Sequence, residues 1–233
     1  ATKQYVDALE ARVDTLETEM ADLQDLLASV SLENGGEDFV FTGVNVHVRD
    51  GSGDTDGTVN GLGNLIVGYN EDTSTGGTET RTGSHNLVVG DEHEYTSYGG
   101  LVIGYENTIT AAFAVVSGGY KNTASGWTSS VSGGHANTAS GNSSSVSGGQ
   151  GNTASGYSSY VSGGQGNTAS GSYSSISGGW DNTASGFSSS VSGGRYNTAS
   201  GRYSSVLGGG WDNPSLGNEA WADYSIVAGG RSN

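Results

Sequence analysis

Apolar and polar positions along this chain follow two different periods. Near the N-terminus Val6, Leu9, Val13, Leu16, Met20, Leu23, Leu27 and Val30 alternate spacings of three and four. That is a heptad seam with Val6, Val13, Met20 and Leu27 at a and Leu9, Leu16, Leu23 and Val30 at d. It predicts a helix that needs partner helices. Farther along the period becomes fifteen: SSVSGGxxNTASGxx recurs, and Val116, Val131, Val146, Val161, Ile176, Val191 and Val206 repeat in step with Asn122, Asn137, Asn152, Asn167, Asn182 and Asn197. A tandem period this short predicts a solenoid.

Within each unit the abundant Gly, Ser and Thr disfavour helix, while Val and Thr suit a pleated surface. One unit therefore reads as two short strands, Ser130–Ser132 and Thr138–Ser140, with bends at Gly133, Gly134 and Gly141. Alternation points Val131 and Ala139 inward and sets Gly133 near the axis. Stacked coils place equivalent residues about 4.8 Å apart, so the repeated Asn can bond its equivalents above and below, and it tolerates a left-handed backbone.

So thin an interior predicts an obligate oligomer. Burying one Val gives roughly 1.5–3 kcal/mol, against an ordering cost near 1–2 kcal/mol for every residue of the coil, so more surface must be buried between chains. The heptad seam supplies the oligomeriser. Within it Arg12-Val13-Asp14-Thr15-Leu16-Glu17 places Arg12 at g and Glu17 at e, the R-h-x-x-h-E pattern associated with three-stranded coiled coils, and a homotrimer is expected.

Five segments follow. Residues 1–32 form the coiled-coil stalk, and 33–60 an acidic β connector in which Phe39, Phe41, Val44, Val46 and Val48 suggest a strand pair broken at Gly43. Residues 61–115 form less regular coils with an insertion at 71–83, residues 116–213 the regular array, and 214–233 the last coil with a C-terminal insertion, the enlarged link running from Gly210 to Asp223.

Charge narrows the partners. The net charge of −16 argues against nucleic acid, and 19 of the 24 acids lie in residues 1–100, which leaves the repeat surface nearly neutral. No Cys is present and this fold needs none. No stretch reads as a membrane span, so no membrane insertion by this segment is expected. His47, His85, His93 and His135 are scattered, HExxH and GxSxG are missing, and the chain reads as neither an enzyme nor a cofactor carrier. One weak calcium candidate is Asp50, Asp54 and Asp56 ahead of Gly57. Gly63 stands where a full calcium loop needs its distal Glu, and a solvated acidic turn is the competing reading.

Against this frame two pairs per unit vary, one before the Asn and one after NTASG. Both fall at turns and should face solvent. Exposed aromatics among Gln, Asn, His and Arg suit sugar or protein contact, which singles out Trp127, Tyr157, Trp180, Tyr196 and Tyr203, with Trp211 and Trp221 in the C-terminal segment. Aromatics that cover neighbouring turns or pack at a trimer seam, and turn exteriors that simply drift, are the alternatives.

Ser130 to Gly141 (SVSGGHANTASG), with the earlier Asn64 to Gly68 (NLIVG), Asn86 to Gly90 (NLVVG) and Leu101 to Gly104 (LVIG), resembles the head repeats of YadA-type trimeric autotransporter adhesins, modules that phage tail fibres also use. The resemblance covers roughly residues 60 to 233. It implies a mainly β homotrimer in which a coiled coil precedes a parallel β-roll or β-solenoid, left-handed in that family. The family repeats every fourteen residues, so one turn is expected to be a residue longer here. Its members also put the head before the stalk, whereas here the coiled coil comes first, which suggests a fragment or a stalk-first fibre. The implied role is an extracellular adhesin or receptor-binding tip on a bacterial surface, virion or injection machine, which binds a cell-surface glycan or protein receptor. A spacer shaft is the first alternative. A Thr ladder (Thr123 to Thr198) that binds ice or mineral is the second.

Overall fold

A computed structural model describes residues 2–71, 80–210, 213 and 217–231. The chain divides into two compact units, one up to His47 and one from Val48 onward.

In the first unit helix α1 runs Thr2–Leu27. Its seam lies open to solvent, from Val6 at 45% exposed to Met20 at 57%. The helix ends before Val30, which instead begins strand β1 (Val30–Glu33), antiparallel to β2 (Asp38–Phe41) with Val30 opposite Phe41. The seam is therefore one position shorter than the heptad reading. A turn at Asn34 and Gly35, both at positive φ, folds the chain straight back, so Phe39 and Phe41 pair with the segment before them. Val44, Val46 and Val48 lie in no strand; Gly43, at φ 74°, ends the ladder first.

The second unit is a parallel β-solenoid. Strands that carry the inward Val form an eleven-stranded sheet, those that carry the inward Ala a nine-stranded one, and every neighbouring pair within each is parallel. In the regular array the strands are two residues long, as at Ser130–Val131 and Thr138–Ala139. Single bridges link Tyr105, Tyr120, His135, Gln150, Gln165, Trp180 and Arg195 into a third row.

The expected extra residue can be located. Gly90 pairs with Gly104, and Gly104 in turn faces Gly119, so the addition is the first Gly of each later pair, beginning with Gly118. This position is not the tight one. A Cβ on Gly133 would touch nothing closer than 4.0 Å, whereas one on Gly141 would stand 2.0 Å from the Gly156 carbonyl and one on Gly134 2.3 Å from that of Gly149. The close approaches between coils are therefore at Gly134 and Gly141, not at Gly133 near the axis.

Inside each regular coil Val131 and Ala139 are fully buried as expected, and Asn137 and Ser144 are buried with them. The Asn ladder forms, mostly through the backbone. The Asn137 amide N–H donates to Oδ1 of Asn122 at 3.0 Å, while its own Nδ2 donates to the carbonyls of Gly133 and Gly149. Each side chain thus joins two levels. The left-handed residue is the one before it, Ala136 at φ 55°, because Asn137 must keep its N–H pointed along the stack.

After the C-terminal insertion the ladder resumes at Asn218, which bonds Asn197 across a separation of 21 residues. Glu219–Ala220 then pairs with Thr198 and Ala199. The enlarged link therefore ends before Asn218 rather than at Asp223.

Candidate functional site

Both variable pairs stand at turns, and their second members take left-handed backbone, among them Lys121, Thr128, Ala136, Ser143, Tyr173, Tyr196 and Tyr203. Because coils stack in register, these side chains form rows.

The row before the Asn ladder begins with Tyr105, Tyr120 and His135. Their rings stack at 5.3 and 5.1 Å with planes 12° and 6° apart. Farther along, Arg195 lies over the Trp180 ring at 4.7 Å. Ring faces in this row are turned toward each other, so edges and hydroxyls are what the solvent meets.

The row after NTASG is a zigzag. Tyr157, Tyr173, Phe187 and Tyr203 meet edge to face at 5.5 Å, and Tyr203 stacks on Tyr224 at 5.1 Å. From Tyr157 to Tyr203 the aromatics alternate between the first and second position of the turn, which leans each ring onto the next, while Tyr224 repeats the position of Tyr203 and so stacks on it. Sequence reasoning took Tyr157 and Tyr203 from this row and missed Tyr173, Phe187 and Tyr224. The signal was the 16-14-16 spacing from Tyr157 to Tyr203, one step either side of the repeat.

Trp127, 53% exposed, stands apart from these stacks, its amide donating to Oδ1 of Asn142. Trp221 is 76% exposed and follows the last inward Ala of the nine-stranded sheet. Tyr196 is half-buried. Trp211 lies outside the described residues.

On the nine-stranded sheet Thr123, Thr138, Thr153, Thr168, Thr183 and Thr198 stand in register. They are half-buried, flanked by inward Asn and Ala. The second rung below Thr123, beneath Thr108, is distinctive. His93, fully buried, replaces an Asn: its Nδ1 accepts from the Asn107 amide and its Nε2 lies 3.1 Å from the Val89 carbonyl. Only a neutral ring with the proton on Nε2 makes both bonds, and burial holds the pKa below the ordinary 6.5. Beside it Glu92, also buried, has its pKa raised by that burial.

Asp50 does not turn toward Asp54 and Asp56. Its Oδ1 accepts from the amide and hydroxyl of Ser52 at 2.8 and 2.6 Å and lies 3.5 Å from Nε2 of His85. The Ser52 hydroxyl bond chiefly lowers the Asp50 pKa. Among the described residues no three His, Asp or Glu side chains converge as a metal site, and no helix is long and apolar enough to cross a membrane.

No protein-family model matches the chain, and a comparison with curated proteins finds no similar one.

Proposed function

We propose that the chain forms a homotrimeric fibre, a three-stranded coiled coil followed by the β-roll, and that its turns bind a cell-surface glycan or protein receptor outside the cell. The observation that carries this reading is the division within the repeat. Val131, Asn137, Ala139, Gly141 and Ser144 are buried frame, while the two varying pairs stand at the exterior turns. The trimer rests on the seven helical seam positions from Val6 to Leu27, half exposed on a helix whose Arg12 and Glu17 stand at g and e. Three copies of each weak turn site on one rod gain avidity through effective concentration.

Within the regular array Trp127 is the most exposed of the candidate contact residues, and Trp180 shares its ring with Arg195. The test is binding of the purified chain, its mass fixed by light scattering, to a glycan array and to whole cells. Trp127→Ala should weaken attachment at least tenfold with the trimer intact. Unchanged attachment would remove Trp127 from the site.

A spacer shaft is the second reading. It is favoured by the rows themselves, since stacked rings turn their faces to one another. Excision of residues 146–160 would then shorten the fibre without altering its affinity.

A further inference from the structure

We propose that the turn row after NTASG binds an uncharged, β-1,4-linked polysaccharide whose extended chain lies along the roll, a ligand class that rests on the receptor-binding reading above.

The row is longer than its zigzag from Tyr157 to Tyr224. The Phe113 amide donates to the Tyr98 carbonyl as the Ser143 amide does to that of Trp127, which puts Tyr98 at the first position of this turn and Phe113 at the second. Their rings meet edge to face at 5.4 Å. Trp127 takes the first position again, Asn142 and Ser143 leave one coil without a ring, and Tyr157 resumes at the first. From Tyr98 to Tyr203 every turn but one thus carries a single ring, and its place alternates from coil to coil. The period of this surface is therefore a pair of coils, about 9.6 Å.

Packing among the rings does not account for the row. From Phe113 to Tyr203 each ring stays 36–53% exposed, and an edge-to-face contact covers a face of only one partner. Most rings in the regular array share their turn with a hydroxyl, from Thr128 and Ser158 to Ser172 and Ser188. Bare ring faces with hydroxyls beside them suit a pyranose, which shows C–H groups on its faces and hydroxyls around its rim.

Period selects the polymer. An extended peptide advances about 3.3 Å per residue and falls out of step with coils about 4.8 Å apart. A pyranose joined through equatorial bonds at C1 and C4 spans nearly one coil. Successive β-1,4-linked rings flip over, so that chain repeats every two sugars as the row repeats every two coils, whereas an α-1,4-linked chain curls away from a straight row. Charge agrees. Between Tyr98 and Tyr224 the only charged side chains at these turns are Arg202 and Asp223, of opposite sign and on adjoining coils, so the row offers no net counter-charge to an ionic polymer.

The test is calorimetric titration of the purified chain with β-1,4-linked hexasaccharides of glucose and of N-acetylglucosamine, with their disaccharides, and with the α-1,4-linked glucose hexasaccharide. At least one β-1,4-linked hexasaccharide should bind tenfold or more tighter than both its disaccharide and the α-1,4-linked chain. Phe187→Ala, at the centre of the continuous zigzag, should weaken that binding at least tenfold with the β circular dichroism signal unchanged, while Gln165→Ala in the other row leaves it as it was. Tyr157→Ser, beside the ringless coil, gives the same reading where Phe187→Ala disturbs the fold. Equal binding of the α-1,4-linked chain, binding indifferent to these ring variants, or no β-1,4 binding by a chain that still attaches to cells would overturn the ligand class and leave the receptor-binding reading standing. A chain that binds neither the hexasaccharides nor cells overturns both.

Discussion

Between Val88 and Ala114 the roll's interior holds Tyr95, Ile109 and His93 besides its valines, whereas from Val116 to Val206 each coil buries one Val or Ile, one Ala, one Asn and one Ser. The early coils fill their interior with bulk. The regular array instead brings backbone against backbone at its glycines and bonds level to level through Asn. A thin interior thus works only when every rung keeps the same geometry, while a bulkier one tolerates a His in place of an Asn and a shorter coil.

The sharpest way to break the regular array is at its close approaches. Gly156→Ala puts a Cβ 2.1 Å from the Gly171 carbonyl and should cost at least about 4 kcal/mol, read as a lowered chemical-denaturation midpoint. Gly148→Ala, where nothing lies within 4 Å, should change the chain's own stability by under about 0.5 kcal/mol.

Removing a rung comes next. Asn152→Ala leaves the Asn167 N–H and the carbonyls of Gly148 and Gly164 without that side chain, an expected loss of roughly 3 kcal/mol. Amide exchange at Asn167 should rise with it.

The early coils alone should feel mild acid through their rung. His93 is held neutral, its pKa depressed below 6.5, so its contribution is complete above that value and is lost as pH falls through the depressed one. Faster exchange of the Asn107 amide below pH 6.5 is expected, and His93→Asn should abolish the acceleration. Glu92, with its raised pKa, works in the opposite direction, so the comparison with His93→Asn isolates the imidazole.

A small effect of opposite sign belongs to the serines. The buried hydroxyls of Ser144, Ser159, Ser174, Ser189 and Ser204 have no hydrogen-bond partner, so Ser159→Ala should be neutral or stabilise by about 1 kcal/mol. A clear loss of thermal stability would show that the hydroxyl matters to the interior.

The repeat made much of this legible, since inward Val131 and Ala139 follow from alternation and the Asn ladder from its period. Gly133 misled because a Gly pair does not reveal which member touches the next coil. Only the mismatch between fourteen and fifteen, matched through Gly104 and Gly119, identifies the inserted one. The strand pair was misplaced because alternation at Val44 to Val48 looks like a strand, while a turn as short as Asn34-Gly35 closes locally at far lower entropy. Among the candidate residues, exposure was readable and stacking was not. Whether Tyr157 offers a face or an edge depends on its neighbour one coil away, at a spacing of sixteen rather than fifteen.

Near-identical rungs also bear on how the chain folds. Ser144 can take the place of Ser159, or Asn137 that of Asn152, with almost the same contacts, so coils can stack one whole unit out of step and form a kinetically trapped, shorter roll with a looped-out repeat. What penalises such slippage is the irregularity: the side chain of Tyr160, the larger Ile176, the alternating zigzag from Tyr157 to Tyr203, and the histidine rung among the early coils. The departures from the repeat therefore act as alignment marks, and a consensus version with every coil made identical should refold more slowly and to several products.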